Sequence, residues 1–136
     1  MKVLFDLNIL LDVMQEREAF YAASATALSK SIDEECEGLI PGHAITTIHY
    51  LLARYTNKHQ ADEGVDFLLE NFVVVNAESA TFRNARQLAM KDFEDAVVAS
   101  IAAKAGCELI VTRNVADFKR SPVPALLPEE FLERLG

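Results

Sequence analysis

The chain has 136 residues, and 51% of them are hydrophobic by a broad count, so one domain with a sizeable core is expected and disorder is not. The formal net charge of −8 argues against a broad basic surface for nucleic acid, although bound cations would offset part of that charge. Apolar runs are too short to cross a bilayer, and Asp6 and Asp12 come too early for a signal peptide. We therefore expect a single domain over residues 1–136, located in the cytoplasm.

Helix-like and strand-like patterns alternate along the whole chain. Short apolar, β-branched runs predict strands at 2–5, 39–40, 72–75, 109–112 and 125–127. Helical spacing and capping signals predict helices at 8–14, 18–34, 43–55, 59–70, 78–90, 93–105 and from Pro128 onward. Such alternation is typical of a parallel sheet covered by helices on both faces, so we predict an α/β fold with about five strands.

Three aspartates stand where a predicted buried element meets solvent. Asp6 follows Val3-Leu4-Phe5, Asp117 follows the run 109–111, and Asp95 lies at the head of a largely apolar helix. In a parallel sheet, ligands bind at the carboxyl ends of the strands. Carboxylates gathered there repel one another unless a cation or protons intervene. Their placement therefore suggests a site for a hard divalent metal.

Helix capping offers a second explanation for the same acids. Asp6 can cap the helix that follows it, and Asp92 can cap the helix at 93–105 with Asp95 in the capping-box position. Asp117 can close a turn with Asn114, three residues earlier. Against pure capping, a helix with almost no polar face is buried and would hold an acid at its start inside a cleft. Spacing alone leaves both explanations open.

Other polar residues give weaker signals. Asp12 is expected on the helix surface or as a group supporting the site, and Arg113 as a surface cation or a phosphate contact. His43 and His49 flank a helix without metal-ligand spacing, so we expect structural or surface roles for them. The two cysteines form neither a disulfide framework nor a zinc site.

Taken together, these segments resemble the PIN-domain ribonucleases, many of which are VapC-type toxins of bacterial and archaeal toxin–antitoxin pairs. The resemblance covers essentially the whole chain. It is carried by Val3-Leu4-Phe5-Asp6-Leu7-Asn8 through Asp12, by Asp95-Ala96-Val97-Val98-Ala99, and by Ile110-Val111-Thr112-Arg113-Asn114 through Asp117-Phe118. Each segment is weak alone, but their order and separations in a chain of this length are fairly specific.

The resemblance implies a compact three-layer α/β/α sandwich whose acids bind Mg²⁺ or Mn²⁺. It implies metal-binding and catalytic roles for Asp6, Asp95 and Asp117, with Glu94 or Asp95 acting on a water. Residues expected to contact the RNA substrate are Asn8, Thr112, Arg113, Asn114, Lys119 and Arg120. It also implies a metal-dependent endoribonuclease that binds a small antitoxin and forms a homodimer, without a membrane association.

The chain departs from the family pattern in two places. Many members carry a glutamate on the helix after the second strand, whereas residues 43–49 contain no acid, and Asn114 stands where many members carry one. The alternative is therefore a catalytically degenerate domain that serves as a protein- or RNA-binding module. Receiver domains and haloacid-dehalogenase-type phosphatases also place acids at strand ends. This chain lacks the adjacent acidic pair and the lysine of receiver domains. It also lacks the second aspartate of the phosphatases, since Asn8 stands at that position.

Overall fold

A computed structural model describes all residues 1–136 and contains one sheet of five strands. The strands are β1 (Lys2–Phe5), β2 (Glu37–Pro41), β3 (Val73–Val75), β4 (Leu109–Val111) and β5 (Ala125–Leu126). They lie in the order β3-β2-β1-β4-β5, and every neighbouring pair is parallel. β1 therefore lies at the centre, and its Leu4 is in register with Leu39 of β2 and Ile110 of β4.

Seven α-helices and one 3₁₀ turn surround this sheet. The helices are α1 (Leu7–Met14), α2 (Tyr21–Ile32), α3 (Gly42–Tyr55), α4 (Lys58–Asn71), α5 (Ser79–Gln87), α6 (Phe93–Lys104) and α7 (Pro128–Leu135), and the 3₁₀ turn is Val115–Phe118. None of them combines the length and the apolar character that crossing a membrane requires.

The core consists of two apolar layers, one on each face of the sheet. Alternate residues of β1 point to opposite faces, so Val3 and Phe5 join one layer and Leu4 joins the other. Helices α1 to α4 and α7 supply the first layer, and α5 and α6 supply the second. The predicted α/β/α sandwich with five parallel strands is therefore confirmed.

The sequence places the helices correctly but misjudges several of their ends. The helix predicted from residue 18 begins at Tyr21, and the one predicted to reach residue 90 ends at Gln87, because Leu88 is already extended (φ −76°, ψ 137°). Gly106 adopts φ +76° directly after Ala105, the C-cap of α6, as expected for a glycine that ends a helix. Helix α6 is buried from Asp95 to Ala102 and therefore runs through the interior.

Candidate metal-dependent active site

Asp6 lies at the carboxyl end of β1, where the strand passes directly into α1. Its side chain is only 3% exposed, and Oδ1 accepts a hydrogen bond of 2.8 Å from the Leu7 N–H. Oδ2 accepts a hydrogen bond of 2.9 Å from the Thr112 hydroxyl, which follows β4. Asp6 is thus both the N-cap of α1 and a buried acid at the sheet edge, so the two explanations of this residue are compatible.

Thr112 joins the first and fourth strands through a small hydrogen-bond network. Besides donating to Asp6, its Oγ1 accepts hydrogen bonds from Asn8 Nδ2 (3.2 Å) and from the Asn114 N–H (3.1 Å). The Arg113 N–H donates to Asn8 Oδ1 at 3.2 Å. The predicted residues Asn8, Thr112 and Asn114 are therefore brought together, and these contacts fix the orientation of the Asp6 carboxylate.

Asp95 lies in the first turn of α6 and is 8% exposed. Its N–H donates to Asp92 Oδ1 at 3.0 Å, so Asp92 caps the helix as predicted. No reciprocal hydrogen bond from the Asp95 carboxylate completes a capping box. The Asp95 carboxylate is consequently free for another partner.

Burial and mutual repulsion disturb both acids. Burial raises the pKa of Asp6 from 3.8 to about 6, with a further contribution from the charge of Glu94. Burial also raises the pKa of Asp95 from 3.8 to about 7, and the charges of Asp6, Asp92, Glu94 and Asp117 add to the effect. The acids predicted from the sequence therefore influence one another electrostatically at one edge of the sheet.

Asp117 lies on the exposed 3₁₀ turn that follows β4. Its N–H donates to the Asn114 carbonyl at 3.0 Å, which closes the turn. Its charge contributes to the raised pKa of Asp95. Asp117 thus flanks the site from the solvent side, whereas Asp6 and Asp95 form its buried part.

The side chain of Arg113 is directed to Asp12. Arg113 Nε donates to Asp12 Oδ2 at 2.7 Å, and the guanidinium lies 4.0 Å from the ring centroid of Phe20. Asp12 is fully buried and also accepts a hydrogen bond of 3.0 Å from the Ser24 hydroxyl. Of the two expectations for Asp12, the position on the helix surface is wrong, and the contact with Arg113 is that of a group supporting the site.

His43 is a site residue that sequence analysis missed. It lies in the first turn of α3, and its Nε2 is 3.5 Å from Glu94 Oε2. Apart from this contact, the buried Nε2 has no polar partner. His49, by contrast, contacts Asp62 at 2.8 Å in a surface pair. The absence of an acid at 43–49 could have directed attention to His43, since it is the first ionisable residue after β2.

The acids present suit a hard divalent cation. Carboxylate oxygens of Asp92, Glu94 and Asp95 all lie within 4.8 Å of one another, and Asp6 repels two of these groups. Mg²⁺ and Mn²⁺ prefer carboxylate and water oxygens. A cation at this edge would also relieve the repulsion that raises the two pKa values. These donors suit such a cation, but of the predicted set Asp6, Asp95 and Asp117 only Asp95 belongs to this cluster.

Comparison with known proteins identifies the family. The family model for the PIN domain matches residues 2–116. Ribonuclease VapC1 from Aquifex aeolicus (strain VF5) is 28% identical over 138 residues, which span 98% of this chain and 94% of that protein.

Solved structures reproduce the fold at low sequence identity. A chain of the DNA-bound VapBC from Salmonella typhimurium has a TM-score of 0.72 at 13% identity and covers 94% of this chain and 98% of its own. A chain of VapBC2 from Rickettsia felis, bound to a DNA fragment from its promoter, has a TM-score of 0.70 at 16% identity, covering 93% and 98%. A toxin–antitoxin complex from Klebsiella pneumoniae gives 0.69 at 20% identity, covering 93% and 97%. At these identities the likeness concerns the fold alone.

Proposed function

This chain belongs to the PIN-domain family, as its sequence predicted, and from that premise we propose that it hydrolyses RNA phosphodiester bonds with the help of Mg²⁺ or Mn²⁺. The observation that carries the proposal is the pair of buried acids, Asp6 and Asp95, whose pKa values are raised to about 6 and about 7. Buried, mutually repelling carboxylates at a sheet edge are unfavourable without a cation, and such perturbed groups are typical of functional sites.

Each acid has a distinct part in the proposed reaction. Asp6, Asp95 and Asp117 would hold the cation, and Thr112 keeps the Asp6 carboxylate oriented through its hydrogen bond of 2.9 Å. A bound cation would lower the pKa of a coordinated water and stabilise charge on the phosphate oxygens. Glu94, which lies beside His43, would orient that water or accept its proton.

Substitution of the two buried acids tests the reaction. We expect Asp6→Asn and Asp95→Asn each to abolish cleavage of a single-stranded RNA in Mn²⁺ while circular dichroism remains that of the parent. A matched control is Asp62→Asn, which should leave cleavage unchanged because Asp62 is a half-buried aspartate on α4, outside the candidate site. Full cleavage by both site variants would refute the mechanism.

A binding module without catalysis is the second candidate, and two features favour it. Asn114 and the acid-free first turn of α3 remove two of the carboxylates found in many relatives. Thermal unfolding with increasing Mn²⁺ separates the two functions. The enzyme should be stabilised as Mn²⁺ rises, and Asp6→Asn should lose that stabilisation. A module with a degenerate site should show no stabilisation in either protein.

We further propose that the chain is the toxin of a toxin–antitoxin pair. Support comes from its similarity to a protein named VapC1 and from structural likeness to chains of VapBC complexes. The net charge of −8 favours an antitoxin segment that is basic or amphipathic. Expression with the neighbouring small gene should yield a co-purifying complex and suppress cleavage. A free, active ribonuclease under those conditions would contradict this assignment.

A homodimer is the remaining expectation. The sequence pattern offers two apolar helix faces for it, one around Ile48-Leu52 and one around Leu68-Leu69. Ile48, Leu52 and Leu68 belong to the core, so they cannot form the contact, whereas Leu69 is exposed. Tyr50 and Leu69 on α3 and α4 are exposed and are better candidates. Sedimentation of the parent and of Tyr50→Ser tests this: a dimer that weakens in the variant is expected.

A further inference from the structure

A cleft of about 430 Å³ opens between the loop that precedes α6 and the 3₁₀ turn after β4. Lys91 and Asp92 line one side, and Asp117, Lys119 and Arg120 line the other. The cleft therefore joins two acids of the candidate active site to three cations. All three cations are exposed, and none of them forms an ion pair or a hydrogen bond within the chain.

A second recess continues from this cleft along α5. It has a volume of about 280 Å³, shares Met90 and Lys91 with the first, and is also lined by Arg86 and Phe93. Phe93 is 49% exposed and stacks on Phe82, which is 45% exposed, with ring centroids 6.4 Å apart and planes at 27°. Two large aromatic rings thus lie stacked and open to solvent next to Asp92, the cap of α6.

This surface carries a cluster of basic residues, whereas the chain as a whole is acidic. The chain carries 21 acidic and 13 basic residues, yet Arg86, Lys91, Lys119 and Arg120 gather around two joined recesses. Unpaired cations attract phosphates, and exposed aromatic rings bind unpaired bases by stacking. Cations and aromatic rings side by side are the combination that single-stranded nucleic acid recognises.

We propose that these recesses form the path of an unpaired RNA strand, with a base stacked on Phe93 and Phe82. The phosphates on the two sides of that base lie against Lys91, Lys119 and Arg120, and the strand continues past Asp117 toward Asp95. The proposal rests on the proposed ribonuclease function and assigns to that site a stacking surface for bases, which the stacked bases of a duplex cannot reach.

Binding without cleavage tests the aromatic part. In the Asp6→Asn background, a ten-nucleotide single-stranded RNA with a central 2-aminopurine should bind, and its fluorescence should be quenched by stacking. Adding Phe82→Ala and Phe93→Ala should weaken binding about 5- to 100-fold, the range that loss of one stacked base implies, and should remove the quenching. Phe93→Trp should retain both. The matched control is Tyr55→Ala, which removes an exposed aromatic ring on α3 and should leave affinity and quenching unchanged.

Salt dependence tests the basic part. The affinity of the Asp6→Asn protein for the same RNA should fall as the NaCl concentration rises. Adding Lys91→Ala, Lys119→Ala and Arg120→Ala together should make the slope of log K against log[salt] shallower by about 2, since each single-strand phosphate contact contributes about 0.7. Lys58→Ala, which removes an exposed lysine paired with Asp62, should leave the slope unchanged.

Because these measurements need no catalysis, they are separable from the proposed function. Loss of binding in the Phe and Lys variants supports the strand path even if the parent cleaves nothing. Unchanged affinity and quenching in those variants overturns it even if the parent cleaves RNA. Equal affinity for a duplex of the same sequence also overturns the strand path. So does displacement of the RNA by poly-glutamate when the bound RNA shows no quenching, since the cleft would then serve an acidic protein.

Discussion

Asp12 is a fully buried carboxylate whose partners come from three parts of the chain. Arg113 follows β4, Ser24 lies on α2, and Arg17 follows α1 with its Nη1 3.6 Å from Asp12 Oδ1. The Arg113 backbone in turn donates to Asn8 at 3.2 Å. The buried charge of Asp12 therefore fixes the loop that carries Thr112, although Asp12 is not one of the candidate metal-binding acids.

Removing that charge should destabilise the whole domain. Asp12→Ala leaves the half-buried Arg113 cation without its partner, and breaking such a pair costs about 3 kcal/mol. We expect a lower urea midpoint with an unchanged slope. Asp62→Asn removes a half-buried aspartate that also pairs with cations and should change the midpoint little. Equal effects of the two substitutions would show that the buried Asp12 ion pair contributes no more to stability than the Asp62 pairs do.

The raised pKa values of Asp6 and Asp95 predict the pH dependence of stability. The folded state retains their protons up to about pH 6 and 7, whereas the unfolded state releases them near the ordinary value of 3.8. The unfolded state thus binds fewer protons across this window, and the free energy of unfolding falls as the pH rises from about 4 to about 7.

We therefore expect Asp6→Asn with Asp95→Asn to unfold at higher urea than the parent at pH 8, by on the order of 2 kcal/mol. The advantage should shrink steadily toward pH 4, where the parent's two acids are protonated. Urea titrations of both proteins, without metal, at several pH values provide the measurement. If the free energies of unfolding of variant and parent differed by the same amount at all pH values, repulsion between the acids would not be the source of the difference.

Several residue assignments were predictable and others were not. Asp6, Asp95 and Thr112 followed from their places after strands or at a helix start, because parallel topology brings those ends together. The burial of Asp12 was not predictable, because its partner Arg113 is 101 residues away and no local pattern indicates the pairing. The part of His43 also depends on a contact between α3 and α6 that spacing does not reveal.

Helix α3 carries one of the two departures from the family pattern that the resemblance implies. Its first turn presents His43 to Glu94 at 3.5 Å, whereas many relatives carry an acid on this helix. We expect His43→Glu to strengthen Mn²⁺ binding and so increase the thermal stabilisation by the ion, while the metal-free protein loses stability at pH 8 through added repulsion.

Two comparisons make that experiment specific. His43→Gln removes the ionisable ring without adding an acid and should not increase stabilisation by Mn²⁺. His49→Glu adds an acid to the same helix opposite Asp62 and should not do so either. If all three variants respond to Mn²⁺ alike, the first turn of α3 takes no part in metal binding.

The sequence determined the order of the elements better than their exposed faces. Alternating apolar runs identified all five strands, but Ile48 and Leu69 looked alike as surface candidates before packing assigned the first to the core and the second to solvent. Helix periodicity reports which residues share a side. It does not report how much of that side a neighbouring helix covers, and here α4 packs against α3.

The molecule as a whole should unfold in one step. The apolar layers on the two faces share β1, since Val3 and Phe5 belong to one layer and Leu4 to the other, and neither layer can lose this strand alone. We expect urea unfolding curves from far-ultraviolet circular dichroism and tyrosine fluorescence to coincide. Separated curves would divide residues 1–136 into independent units and contradict the single domain that the sequence predicts.

The central position of the first strand has a consequence for how the protein is made. β1 leaves the ribosome first, but its neighbour β4 begins at Leu109 and the hydroxyl that orients Asp6 belongs to Thr112. During synthesis β1 is therefore exposed on the side where β4 will pair with it. Asp6 lacks its hydrogen-bond partner Thr112, which lies more than a hundred residues further along the chain. A nascent chain therefore has no assembled site until Thr112 has left the ribosome, after four of the five strands.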